Sequence, residues 1–202
     1  MGSKAKRLGN GYEYEIRDHL REVTGDDSFE RVPNSGAYFG GANQTRAATA
    51  REGLVEIMSG DIITPPNWRW VVECKNYEDV SWHQLVLSDH CAQIDEFIEQ
   101  VTLDAKTNNL EPLLFIKLRK KPYKLSDSIK KKLKEAEVTV PTVKTITQGH
   151  LVGEWWDTSQ DISALNCVHY NYVDQNNDTR TWRFVSLDNW LEVLSERKQF
   201  IS

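Results

Sequence analysis

Residues 60–75 read GDIITPPNWRWVVECK, and the fold turns on how they are read. Two runs rich in β-branched and aromatic residues flank Pro65, Pro66 and Asn67: residues 54–64, broken at Ser59 and Gly60, and residues 68–75. This pattern predicts a β-hairpin with a longer loop. In its second strand a period of two puts Trp68, Trp70, Val72 and Cys74 on one face and Arg69, Val71, Glu73 and Lys75 on the other. Glu73 and Lys75 therefore point the same way. Asp61 lies twelve residues before Glu73, on the neighbouring strand.

Upstream of the hairpin, Tyr12, Ile16, Leu20 (or His19) and Val23 recur at helical spacing and predict a helix over 10–23, closed by Gly25. Residues 29–32 predict a short strand ended by Pro33 and the turn-prone Asn34, Ser35 and Gly36. Residues 38–53 predict a loop; its glycine-rich start lacks the GK[ST] ending of a phosphate-binding P-loop. Downstream, Leu87, Cys91, Ile94, Ile98, Val101 and Ala105 predict a long helix over 81–105, followed by a strand over 113–118. A basic surface helix is expected over 126–137, with short strands around 140–146 and 167–173 and a turn at 175–178. A last strand is expected over 182–187, and Asp188 is placed to cap a final helix over 189–198. This order argues for an α/β fold, a mixed central β-sheet flanked by helices.

At 202 residues the chain is long enough for one domain with an elaboration. Its 39% hydrophobic and 27% charged residues, with seven tryptophans, belong to a folded protein and exclude a disordered tail. Apolar runs such as residues 113–116 fall far short of the roughly 20 residues that span a bilayer, and the polar N-terminus has no signal-peptide apolar region. No membrane partner and a cytoplasmic location are expected. Cys74, Cys91 and Cys167 are odd in number and lack CxxC spacing, so they read as reduced thiols.

The net charge of −5 would by itself count against nucleic acid, but its distribution does not. Residues 1–12 carry +3 through Lys4, Lys6 and Arg7, and residues 117–134 carry +8. The second segment includes Lys117, Arg119, Lys120 and Lys121. The rest of the chain holds the balancing acid. The bland reading of a lysine run is a solvated helix face; the sharper one is a grip on phosphates.

Glu13 on the first helix, Asp61, and Glu73 with Lys75 form the one constellation that carries chemistry. Three carboxylates brought together repel one another unless a cation sits between them, and hard oxygen ligands with open water positions suit Mg²⁺ or Mn²⁺. Such a cation neutralises charge building on a phosphate and lowers the pKa of an attacking water, which is the chemistry of phosphodiester hydrolysis. Lys75 would orient that water or stabilise the developing negative charge. The opposing bland reading makes Glu73 and Lys75 a surface ion pair on an edge strand, worth about 0–1 kcal/mol.

The spacing from Asp61 to Glu73-Cys74-Lys75 resembles the PD-(D/E)XK nuclease core, with Gly60-Asp61 in place of Pro-Asp. Three more stretches are similar to the Holliday-junction resolvase branch and its phage relatives: KAKRLGNGYEYEIRDHL, RVPNSGA and FIEQVTLDAKTNNLEPLLFIKLRKKPY. The resemblance covers roughly residues 4–123. It implies a restriction-endonuclease-like fold, with Asp61, Glu73 and a helix glutamate as metal ligands and Lys75 as the catalytic lysine. Glu13 lies four residues after Gly9 and Glu15 four after Gly11; both fit the helix glutamate, with Glu13 preferred. Arg31, Ser35, Gln100 and Lys117 would contact DNA, though Arg31 and Ser35 read equally as turn residues and Gln100 as solvated. The loop over 38–56 and residues 120–180 exceed a compact resolvase, so 1–202 is expected to be a single nuclease domain with an insertion over 120–180, before the last strand.

The expected function is Mg²⁺-dependent endonucleolytic cleavage of branched DNA by a phage-encoded Holliday junction resolvase in a bacterial host, serving DNA recombination and repair, with Mn²⁺ able to substitute. Two symmetric scissile strands in a four-way junction imply a homodimer. The runner-up is a restriction-like or replication and repair nuclease of the same fold, cutting duplex, flap or single-stranded DNA. A third reading is an inactive DNA-binding protein, against which the four intact residues speak. His83, His90 and Cys91 lack a fourth zinc ligand, Ser35 lacks His and Asp partners for a hydrolase triad, and Trp155-Trp156 read as core or interface before base stacking.

Overall fold

Helix α1 (Lys4–Thr24) forms where Tyr12, Ile16 and Leu20 repeat every fourth residue, and all three are buried together with Glu13. It starts six residues before the apolar repeat predicts, because the charged residues ahead of the repeat are good helix formers. Lys4, Lys6 and Arg7 are thus helical and exposed. Gly25, at φ 72°, ends the helix and donates its N–H to the Arg21 carbonyl at 2.8 Å. The computed structural model describes residues 4–33, 59–78, 80, 84, 87, 90–119, 126–136, 149–155 and 167–196. The predicted loop 38–53, strand residues 54–58, the strand at 140–146, and His83, Trp156 and Ser35 lie outside the described residues.

Among the described residues, seven strands form a mixed sheet: β1 (Glu30–Arg31), β2 (Ile62–Ile63), β3 (Trp70–Tyr77), β4 (Glu111–Leu118), β5 (His150–Trp155), β6 (Val168–Val173) and β7 (Thr179–Ser186). Their order is β1-β2-β3-β4-β5-β7-β6. The pairs β1/β2, β2/β3, β5/β7 and β6/β7 are antiparallel. Glu111 and Arg119 donate their N–H groups to the carbonyls of Arg69 and Tyr77, an equal advance along both strands, so β4 runs parallel to β3. Helix α2 (Ala92–Thr107) supplies the crossover that a parallel pair requires. Helices α3 (Asp127–Glu135) and α4 (Leu187–Glu196) complete the four helices whose bounds fall among the described residues.

β3 has a strand on each side, and Trp70, Val71, Val72, Glu73 and Cys74 are all buried. Consecutive buried residues mean that both faces of the strand are covered. This overturns the reading of Glu73 and Lys75 as a surface ion pair on an edge strand: Glu73 is only 4% exposed. Gln84 is helical within the predicted span, but α2 itself starts at Ala92; Cys91 is buried ahead of it, and its carbonyl accepts from Ile94 and Asp95 at 2.9 Å. Leu87 is in a turn. An apolar repeat reports a buried side, and Cys91 meets it without being helical. Strand β5 was not foreseen, because residues 150–155 mix polar and apolar types without a clear period. The last helix begins two residues earlier than expected, and its cap is the Ser186 hydroxyl, which accepts from Asn189 N at 3.3 Å, not Asp188.

The chain forms two compact units. The first comprises Met1–Cys74, Gln100–Leu113 and Leu191–Ser202. Its core sets Phe29 edge-on to Trp68, centroids 5.0 Å apart, with Trp70 a further 4.9 Å from Trp68. The second comprises Lys75–Glu99 and Leu114–Trp190. There Phe115 packs edge-on against Trp190 at 5.4 Å, and the Phe184 ring fills the space that a side chain on Gly153, its cross-strand partner, would need. Arg183 and Glu154 form a buried ion pair across β5 and β7, and Trp190 Nε1 donates to the other Glu154 oxygen at 3.5 Å.

Candidate active site

Asp61 is held where three strands meet. Its carbonyl accepts from Val32 N at 2.9 Å, its N–H donates to Val72 O at 2.8 Å, and its Oδ2 accepts from Cys74 N at 2.8 Å. The bonds to Val72 and Cys74 bracket Glu73, so the two acids lie on adjoining positions of paired strands. Gly60 permits this approach: at φ 72°, a Cβ there would lie 2.5 Å from Val72 O and 2.9 Å from Val71 Cγ1. Only glycine lets the chain come so close to the β3 backbone.

Glu73 Oε1 accepts a hydrogen bond from Gln100 Nε2 at 2.8 Å, reaching from α2. Gln100, which the resemblance implies as a DNA contact, turns its amide to a carboxylate. Lys75 follows Glu73 by two residues on β3, on the same face by strand alternation, and is half-buried. Its Nζ lies 5.4 Å from the Phe97 ring centre, a cation–π distance.

Glu13 is 6% exposed on α1, and its Oε2 accepts from Arg31 Nε at 2.5 Å. Arg31 Nη2 also donates to Asn10 Oδ1 at 3.0 Å. Asn10 and Glu13 sit one turn apart on the same helix face, so they form one receptor for the guanidinium. Glu15 is two residues on, roughly 200° around the helix, and half-buried. Burial, then the neighbouring Cys74 and Glu15, push the Tyr12 phenol well above its usual range.

Asp61 and Glu73 are thus brought together, while Glu13 is drawn to Arg31. Among the described residues, no three His, Cys, Asp or Glu side chains are grouped so as to hold a metal ion. The donor chemistry nevertheless fits a hard divalent cation. Asp61 and Glu73 are 6% and 4% exposed and set two carboxylates on adjoining positions of paired strands, the hard oxygen donors that such a cation takes.

The basic residues stand apart from these acids in character. Lys117 is half-buried near the end of β4, Arg119 is exposed, and Lys120 and Lys121 lie outside the described residues. Helix α3 exposes Lys130, Lys131, Lys132 and Lys134 while burying Leu133, and Ser126 caps it through Ile129 N. Asp127 holds Lys130 at 2.8 Å.

Sequence reasoning did not foresee the Glu13–Arg31–Asn10 cluster. Helical spacing could have paired Asn10 with Glu13, but nothing in the sequence pairs them with a residue on β1. It also did not foresee a cavity of about 460 Å³ in the second unit, where Asp95 joins His90 Nδ1 at 2.6 Å and accepts from the Tyr170 hydroxyl at 2.5 Å.

No curated protein and no solved structure matches the chain. A family model described as phage putative PDDEXK endonuclease matches residues 3–161, a span that holds Glu13, Asp61, Glu73 and Lys75. With the acids of that motif buried on paired strands and most of its length matched, the chain belongs to this phage PDDEXK endonuclease family and is a nuclease.

Proposed function

We propose that the protein is a metal-dependent endonuclease that hydrolyses phosphodiester bonds in branched DNA, acting as a Holliday junction resolvase and as a homodimer. The observation that carries the reading is the buried Asp61–Glu73 pair, with Lys75 on the same strand face as Glu73. Asp61 and Glu73, joined by Glu13, are the residues that would hold Mg²⁺, or Mn²⁺ in its place. Bound there, the ion would supply charge neutralisation at the phosphate and a water of lowered pKa.

The chain's own groups do the rest. The Cys74 N–H fixes Asp61, and the Gln100 amide fixes Glu73, so both carboxylates are oriented before DNA arrives. The Lys75 ammonium stabilises negative charge that develops on the phosphate or orients the attacking water. Lys4, Lys6, Arg7 and the lysines of α3 grip phosphates, so affinity falls steeply as salt rises. A symmetric dimer matches the two-fold arrangement of scissile strands in a four-way junction. The setting is the cytoplasm of a phage-infected bacterium.

The test is cleavage of a labelled four-way junction, a flap and a linear duplex with Mg²⁺ and with EDTA, alongside Asp61→Ala. Junction cleavage that EDTA and Asp61→Ala both abolish supports the proposal. Cleavage of duplex or flap but not junction would assign the protein to the restriction-like or repair nucleases. No cleavage of any substrate would sink the enzyme reading.

A further inference from the structure

We propose that Arg31 and the active-site metal exchange at Glu13, so that metal loading releases the guanidinium to a DNA phosphate. This rests on the reading of Glu13 as a metal ligand given above. The pair is enclosed: the Arg31 and Glu13 side chains are 11% and 8% exposed, and Nε of one meets Oε2 of the other at 2.5 Å. Asn10 Oδ1 receives Nη2 at 3.0 Å, so two oxygens on one helix face hold one fork of donors. The other Glu13 oxygen, Oε1, lies over Gly9, at 3.9 Å from where a Cβ would sit.

The position of Arg31 links this pair to the acids on the sheet. Arg31 pairs with Ile62 in the β1/β2 ladder, and the next residue, Val32, donates its N–H to Asp61 O. The guanidinium therefore springs from the ladder position next to Asp61. Charge argues for exchange. An oxygen that accepts from a guanidinium shares its lone pairs with it, and a divalent cation on the same carboxylate adds repulsion between the two cations. Arg17 and Arg21 are in a different position, because Glu30 binds both, at 3.0 and 2.9 Å, and Asp18 also holds Arg17. Arg31, once displaced from Glu13, carries a planar fork suited to phosphate.

The exchange makes two linked predictions for the full chain, read without any cleavage. In EDTA, Glu13→Gln removes the charged partner of Arg31, leaving the weaker hold of the neutral Asn10 acceptor, and tightens binding of a fluorescent four-way junction by about tenfold, the change expected from one charge-assisted hydrogen bond. The double variant Glu13→Gln with Arg31→Gln loses that gain. By calorimetry, Arg31→Gln binds Mn²⁺ about tenfold more tightly than wild type, and Glu13→Gln binds it more weakly. A gain in DNA affinity that persists in the double variant would overturn the exchange, since removing an acid near DNA would then be its whole cause. So would an Arg31→Gln variant whose Mn²⁺ affinity is unchanged or weaker. Should Arg31→Gln fail to fold by circular dichroism, Glu13→Gln and the neutral double variant read the same exchange through DNA binding. Wild-type protein that neither binds Mn²⁺ nor cuts DNA overturns the metallonuclease reading and the exchange together. Wild type that does both, with variants that behave as in the overturning outcomes, removes the exchange alone.

Discussion

Gly25 and Gly60 share a backbone angle and differ in surroundings, which makes Gly25→Ala and Gly60→Ala a matched pair of perturbations. Both have φ 72°. A Cβ on Gly25 meets nothing within 4 Å, whereas one on Gly60 lies 2.5 Å from Val72 O, 2.9 Å from Val71 Cγ1 and 3.3 Å from the Val72 carbonyl carbon. An alanine forced into the left-handed region costs about 1–2 kcal/mol at either site. At Gly60 the clash is with backbone, which cannot rotate away as a side chain can, and overpacking adds about 1–3 kcal/mol. Gly25→Ala should therefore lose about 1–2 kcal/mol and Gly60→Ala about 2–5 kcal/mol. Urea unfolding followed by tryptophan fluorescence measures both. To relieve the clash, residue 60 must move off β3, which strains the next hydrogen bond along, Asp61 N to Val72 O. DNA cleavage should fall with Gly60→Ala and stay near wild type with Gly25→Ala. Equal losses of stability in the two variants would refute the close approach of Gly60 to β3 as the reason for glycine there.

Three further outcomes follow from single contacts. Gln100→Leu removes the amide that holds Glu73 Oε1 and should lower kcat more than DNA affinity; an unchanged kcat in single-turnover assays would contradict this. Arg183→Leu leaves Glu154 buried without its cation and should cost about 3–5 kcal/mol in urea unfolding, while Arg183→Leu with Glu154→Leu recovers much of it. Burial, and then donation to Asp95, raise the Tyr170 phenol above its ordinary 10.0. The native state thus keeps a proton that the unfolded state gives up, and the stabilising contribution, full below pH 10.0, declines as pH rises past it. Tyr170→Phe should reduce the alkaline slope of unfolding free energy by at most about 1.4 kcal/mol per pH unit, one proton's worth. An identical slope in both proteins would argue against a protonated Tyr170–Asp95 bond.

The motif from Asp61 to Lys75 was legible in the sequence because strand alternation and a proline turn are local matters. Turn residues set where the hairpin bends, and a period of two sets which side chains share a face. The buried side of α1 was legible for the same reason, as was the fold class, since the order of helical and extended patterns limits how layers can pack. Helix ends were read less well. Cys91 satisfies an apolar repeat without being helical, and Ser186 took the cap expected of Asp188, because local signals at an end compete and packing chooses between them.

Only the tertiary structure decided that β3 is covered on both faces, which turned Glu73 from a surface charge into a buried one. It alone set Gln100 on Glu73 and Arg31 on Glu13. These contacts join residues 27 and 18 positions apart, on elements whose meeting depends on how the rest of the chain packs. The sequence by itself determined the chemistry available, through the identities and spacing of its acids and bases. Which charge compensates which was left to packing, because electrostatic partners are chosen by distance in space, and no local pattern encodes that distance.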